Sequence, residues 1–352
     1  MGADKTLEKL AAWQAGNQPM PLPPSAYTED LAAELEKRRV LSNEWICVGH
    51  VSELKEPGDY LTFDLIDTPV IVTKNRADTL RAFSNVCAHR SARLLDGSGH
   101  CSAIVCPYHS WTYNLDGELR GAPFMEAWKI EGIRLTEVRL ETWEGMIFAN
   151  LDSEADALAP RLASLRQRIG GFGMSDMDVV WRFDDKFACN WKVLVENFCE
   201  SYHVFRVHPE TVEPDTPTSS VEVLPDGPGF NHHSMDYLAN DNGIGKEHLS
   251  CIYPATALAV RHGTSIWLSV LPINASTCRV TGWLARTAHE EDDVASSIES
   301  TKAFLAEDRA IVEDVQKGLR SELGNCAPLS HMEKTNWQFG RYLANRLLNG
   351  NT

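Results

Sequence analysis

No stretch of this chain approaches the roughly eighteen consecutive apolar residues of a bilayer-crossing helix, so no membrane partner is expected. Met1 to Pro24 also lack an apolar core set between a basic end and a small-residue cleavage site, which predicts no secretory leader and a cytoplasmic location. Basic charge is scarce: 33 Lys and Arg stand against 49 Asp and Glu, a net charge of −16. Phosphate backbones are gripped by clustered Lys and Arg, so nucleic acid is excluded as a partner. The acidity serves solubility, or attracts a cationic partner. No Gly-x-Gly-x-x-Gly follows a strand-like run, so any reducing equivalents must come from another protein. Internal repeats and low-complexity tracts are also absent.

What the chain does carry is a pair of short cysteine and histidine motifs. Cys87-Ala88-His89 is followed, after sixteen intervening residues, by Cys106-Pro107-Tyr108-His109. Each pair must present one sulfur and one nitrogen from a tight turn. Two thiolates and two imidazoles so arranged are the ligand set of a Rieske [2Fe–2S] centre, in which His replaces Cys on one iron. A structural zinc site also accepts two Cys and two His. Zinc pairs, however, usually keep one ligand type within each pair. Rieske proteins of the respiratory and photosynthetic cytochrome complexes carry a further Cys in each loop, where Ala92 and Tyr108 stand here. The loop pair therefore resembles the ferredoxin and oxygenase branch, toward the low end of a range of about −150 to +300 mV. Trp111 shields the cluster or simply packs. The dispersed Cys47, Cys101, Cys189, Cys199, Cys251, Cys278 and Cys326 read as small buried groups in a reducing compartment.

At 352 residues and 43% hydrophobic content the chain can fill two cores. The expected fold class is α+β. A helical segment over 1–43 precedes an all-β cluster domain over 44–152, with short strands at Tyr60–Leu65, Pro69–Thr73, Leu80–Ser84 and Met146–Asn150. An α+β domain with a central antiparallel sheet and flanking helices follows over 153–352. Helices are expected at Thr28–Arg39, Leu158–Ile169 and Val294–Leu319, strands at Ser265–Leu271 and Val280–Ala285, and long loops over Thr211–Gly245.

The second domain holds another pair of histidines. His203 and His208 are five apart, one residue too many for a shared helical face. Pro209 biases His208 away from helical geometry, so the helix can end there and let the imidazoles meet. With one carboxylate they would form the 2-His-1-carboxylate triad of a non-haem Fe(II) oxygenase. At these residues the chain resembles, almost end to end, the α subunit of the Rieske non-haem iron oxygenases. That family's Asp/Glu-x2-His-x4-His motif matches Glu200, His203 and His208. The resemblance implies a third ligand, an Asp far downstream on a helix, for which Asp308 is the best match and Asp314 the nearest competitor. Glu307, Glu313 and Asp314 are expected on a solvated face.

The resemblance also implies the rest of the machinery. Cys87, His89, Cys106 and His109 would hold a [2Fe–2S] cluster and His203, His208 and Asp308 a mononuclear Fe(II), with residues 1–43 packing on the catalytic domain. Subunits would form a head-to-tail homotrimer, with the electron crossing an interface. Glu200 stands where an acidic residue bridges His109 of one subunit to His203 of the next. Most members have Asp there, and Glu is similar to members acting on quaternary ammonium compounds. Asn197 and Tyr202 are expected to orient the ligands. Partners are O2, a small organic substrate and a separate NAD(P)H-dependent reductase, acting directly or through a ferredoxin. The short chain resembles the α-only members, so monooxygenation is favoured: hydroxylation or oxidative N- or O-dealkylation of an aromatic or quaternary ammonium substrate. Ring cis-dihydroxylation is the alternative, and an electron carrier without oxygenase activity is the alternative of another class. The pocket is expected from Phe198, Phe205, the 211–245 loops, Trp267 and Trp283, aromatics suited to an ammonium or an aryl ring. Arg261 pairs with a substrate carboxylate or serves structure.

Overall fold

The computed structural model describes residues 2–238, 243–287 and 294–349. Contacts divide the chain into two compact units, one over Ser42–Asp156 and one formed by the residues up to Leu41 together with those from Ala157 onward.

The first unit is all-antiparallel. Seven strands run in the order Ile46–His50, Met146–Asn150, Glu137–Trp143, Leu80–Ser84, Thr68–Lys74, Asp59–Leu65, Ser98–His100. A second sheet of three carries Ile104–Val105, Thr112–Tyr113 and Leu119–Gly121. Val70, Ile71 and Val72 are all buried, so this β-branched run is covered on both faces. The loops bearing Cys87 and Cys106 leave the ends of strands, and their cysteines share one core with Ile71, Phe83, Trp111 and Tyr113. Gly117 adopts φ +80°, and a Cβ there would lie 2.6 Å from the Phe83 ring, so only glycine fits this turn.

The second unit is built on a seven-stranded antiparallel sheet. Its order is Asp178–Phe187, Thr277–Arg286, Thr264–Asn274, Thr256–Arg261, Gly245–Ile252, Phe230–Tyr237, Glu222–Gly227. Register defines its two faces, because directly opposed residues point the same way. One row runs Asn231, Cys251, Ala257, Leu268, Gly282, Phe183. This face receives the helices: Asn231 Nδ2 donates to Cys199 Sγ at 3.4 Å, and Arg309 lies over the Phe187 ring at 4.8 Å. The opposite row runs His232, Ser250, Leu258, Trp267, Trp283, Arg182. Helix Val294–Gly318 buries Thr301, Leu305, Asp308, Val312 and Gln316, a single stripe at spacings of three and four. No helix among the described residues is long and apolar enough to cross a membrane.

Three local expectations change. The helix over Thr28–Arg39 begins at Asp30, because Glu29 is extended (φ −94°, ψ 124°) and separates it from the turn Ser25–Thr28. The helix over Leu158–Ile169 is split at Leu162, which leaves helical geometry (φ −107°, ψ 7°). The region Thr211–Gly245, expected as loops, contains the strands Glu222–Gly227 and Phe230–Tyr237, while residues 239–242 lie outside the described residues.

Candidate metal centres

The two cluster loops share one geometry. Ser91 N donates to the Cys87 carbonyl and Ser110 N to the Cys106 carbonyl, each at 3.0 Å. Both serines are left-handed, at φ 56° and 57°, and each cysteine N–H is fixed at 2.8 Å by a carbonyl across its loop, Ala92 for Cys87 and Trp111 for Cys106. Cys87 and Cys106 are buried, whereas His89 is exposed and stacks on Trp111 with centroids 4.6 Å apart and planes 4° from parallel. The His89 and His109 rings lie 4.7 Å apart. Tyr113 Oη sits 3.2 Å from Cys87 Sγ and accepts from Ala88 N at 3.1 Å. His109 Nδ1 is buried and has no hydrogen-bond partner among the described residues. A buried nitrogen left unsatisfied costs about 1–3 kcal/mol. Metal coordination removes that cost, so the cradle fits an iron–sulfur cluster.

The second site is assembled by a helix, one turn and a second helix. Helix Trp191–Cys199 starts at Asn190, whose side chain accepts from Lys192 N at 3.0 Å, and stops where Glu200 becomes extended (φ −134°, ψ 164°). His203 and His208 then flank the single turn Val204–Val207, which brings their rings within 5.3 Å. Asp308 enters from the buried stripe of helix Val294–Gly318. Its Oδ1 is 3.0 Å from His208 Nε2 and 3.6 Å from His203 Nε2. One ligand atom from each of the three residues lies within 4.8 Å of the others. A buried carboxylate flanked by Leu305 and Val312 is expensive unless paired or coordinated. Asp314, 72% exposed in its side chain and paired with Lys317, lies on the other side of the helix.

Carboxylates orient both imidazoles through their outer nitrogens. Glu200 Oε1 is 2.6 Å from His203 Nδ1, and Glu307 Oε2 is 2.7 Å from His208 Nδ1. This fixes Nε2 of each ring toward Asp308, as carboxylates bonded to the outer nitrogen of metal-binding imidazoles do. Burial works against charge on His208, yet Asp308 and Glu307 together hold its pKa above the ordinary value. The field that favours a proton there also favours a metal cation. Glu307, 34% exposed in its side chain, also accepts from Thr211 Oγ1 at 2.6 Å, so the expected solvated face does not by itself account for it. Glu313 likewise accepts from Ala188 N at 3.0 Å. Asn197 Nδ2 lies 3.4 Å from His203 Nε2, whereas Tyr202 is 43% exposed, its ring 6.0 Å from that of Phe205. His233, missed in the sequence, is buried and bonded to Ser201 Oγ at 2.7 Å. Burial pushes its pKa down to about 3, so it is neutral. Trp267 and Trp283 stack on each other at 5.7 Å on the sheet face away from the ligand helices, so they do not line this site.

An iron–sulfur cradle and a separate two-histidine, one-carboxylate cluster on one chain define an iron-dependent oxygenase fed with single electrons. The chain matches the Rieske [2Fe-2S] domain over residues 44–143 and the ring hydroxylating alpha subunit (catalytic domain) over residues 174–349. The carnitine monooxygenase oxygenase subunit of Acinetobacter baumannii is 32% identical over 313 residues, 84% of each chain. The glycine betaine monooxygenase oxygenase subunit of Chromohalobacter salexigens is 34% identical over 210 residues, 59% of this chain and 46% of that one. A crystal structure of the quaternary ammonium Rieske monooxygenase CntA superposes with TM-score 0.87 at 27% identity, covering 97% of this chain and 98% of that one. Naphthalene 1,2-dioxygenase from Rhodococcus sp. shares the fold at TM-score 0.81 and 18% identity, covering 99% of this chain and 98% of that one. The chain belongs to the Rieske non-haem iron oxygenases. It is the oxygenase subunit of a multicomponent system, uses a [2Fe–2S] cluster and a mononuclear iron, and depends on a separate reductase.

Proposed function

We propose that this oxygenase carries out oxidative N-dealkylation of a quaternary ammonium substrate, within a homotrimer. The observation that carries the reading is the convergence of His203, His208 and Asp308, with ligand atoms all within 4.8 Å. Cys87, His89, Cys106 and His109 hold the cluster, and His203, His208 and Asp308 hold the iron. When bound, these groups supply one-electron transfer and O2 activation. Three protein donors leave positions open for O2. Glu307 and Glu200 lock the imidazole orientations, and Asn197 borders His203 Nε2. Glu200 is also the bridge that accepts from His109 of a neighbouring copy, so electrons cross between subunits.

The reaction consumes O2, two electrons and two protons. One oxygen atom is inserted into a C–H bond beside the ammonium nitrogen and the other leaves as water. The existing C–N bond of the hydroxylated carbon then breaks, its electron pair staying on nitrogen to give the amine while loss of the hydroxyl proton gives the aldehyde. Relatives that carry carnitine and glycine betaine monooxygenase names support the substrate class. The net acidic surface adds attraction for a cation. Single turnover of reduced, iron-replete protein with trimethylammonium compounds, methoxy-aromatics and aromatic acids is the test. An aldehyde with its matching amine is expected. A cis-diol without aldehyde would replace this reading with ring dihydroxylation, and the absence of oxygen consumption would overturn it.

A further inference from the structure

One charged group on the ligand-helix face of the sheet is deep yet keeps accessible surface. Arg261 ends strand Thr256–Arg261 and its Nη1 donates to Glu247 Oε1 at 3.1 Å. Glu247 is opposed to Met235, two residues and about 7 Å along the strand from His233. The Arg261 guanidinium carbon lies 4.5 Å from the Tyr237 ring centroid. Burial is the largest influence on Arg261, outweighed by Glu247, Tyr237 and Asp215, which together raise its pKa. Even so, 30% of the Arg261 side chain remains accessible. The guanidinium is therefore within reach of a solute on this face of the sheet.

The chain leaving the iron site reaches this same place. After His208 it folds into turns, with Val212 N and Glu213 N donating to the His208 carbonyl and Asp215 N donating to that of Val212. Seven residues in helical turns advance about 10 Å. The Asp215 carbonyl then accepts from Leu238 N at 2.7 Å, next to Tyr237. Segment 209–217 therefore spans from the second histidine to the arginine. A guanidinium has five N–H donors, and among the described residues Arg261 uses one, toward Glu247. Glu247 and the Tyr237 ring fix the plane of the fork and leave donors for a second carboxylate, a geometry that a lysine does not provide.

We propose that Arg261 is a specificity-determining residue that receives the carboxylate of a short zwitterionic trimethylammonium substrate whose ammonium end lies toward His203, His208 and Asp308. This assignment rests on the quaternary ammonium reading above and narrows it to compounds with an acid at the far end. Anchoring that end also decides which carbon beside nitrogen comes nearest the iron.

The test is calorimetric titration of the complete protein with two trimethylammonium compounds of equal length, one a free carboxylate and one its methyl ester. Wild type should bind the carboxylate tighter by on the order of 10- to 100-fold, the worth of a charge-assisted hydrogen bond. Arg261→Gln should erase that preference and leave the ester's affinity within about twofold. A preference that survives in Arg261→Gln, or no preference in wild type, overturns the assignment; the wild-type comparison needs no variant to fold. Aldehyde formed from the ester at least as readily as from the acid would keep the dealkylation reading and remove Arg261 from it. No binding and no aldehyde with either compound would remove both.

Discussion

Replacing Glu196 by glutamine should stabilise this protein at alkaline pH and leave it unchanged in mild acid. Glu196 lies on the helix that leads into the iron ligands, and Tyr27 Oη reaches its two carboxylate oxygens at 2.7 and 2.9 Å. Burial pushes its pKa up to about 7, against the help of Tyr27 and Lys192, while Glu36 and Glu333 add repulsion. A carboxyl whose folded pKa lies above its unfolded value contributes stability that is fully present below about 4.5 and lost as pH rises through about 7. The difference between 7 and 4.5, at about 1.4 kcal/mol per pH unit, gives about 3 kcal/mol. Because part of the side chain remains accessible, about 2 kcal/mol is the working figure. Glutamine keeps the shape and one acceptor for Tyr27 but never ionises. Thermal melts followed by circular dichroism should therefore coincide at pH 4.5, with Glu196→Gln melting roughly 3 °C higher at pH 8.5. A variant that melts lower at pH 8.5, or by the same difference at both pH values, would refute the account.

Tyr113→Phe removes the hydroxyl 3.2 Å from Cys87 Sγ. A hydrogen bond to a cluster sulfur favours the more negative reduced state, so the midpoint potential should fall; about 1 kcal/mol corresponds to roughly 40 mV for one electron, and a rise in protein-film voltammetry would contradict the geometry. Trp267→Ala, in the sheet face turned from the ligand helices, should lower unfolding free energy by about 3–5 kcal/mol in denaturant titrations and leave KM of the folded enzyme within about twofold. A large KM change at normal stability would put Trp267 back in the pocket.

Both metal motifs were legible because ligand chemistry forces residue type and spacing together: a sulfur and an imidazole from one turn, two histidines around one helical turn. The third ligand was legible only through resemblance, because Asp308 shares its buried stripe with the polar Thr301 and Gln316 and does not stand out there. Glu307 was not. It adjoins a ligand and looks like surface charge, and its role arises only because a turn after His208 passes beside it. Strand Phe230–Tyr237 was hidden for a different reason. Asn231, His232, His233 and Ser234 are all buried, so the strand has no polar face to alternate against an apolar one. The face on which Trp267 sits depends on register across six strands, which no local pattern encodes.

Glu200 has one methylene more than aspartate, and the fold absorbs it. One oxygen holds His203 Nδ1, and the other accepts from the backbone N–H groups of Tyr202 and His203. The added rotatable bond is frozen into a small ring closed by the chain's own amides, with Glu200 buried. Its lone pairs are not exhausted by these contacts. A further donor arriving from outside the chain would meet an acceptor already at rest, and the shift of charge through His203 would need little movement of the atoms around it.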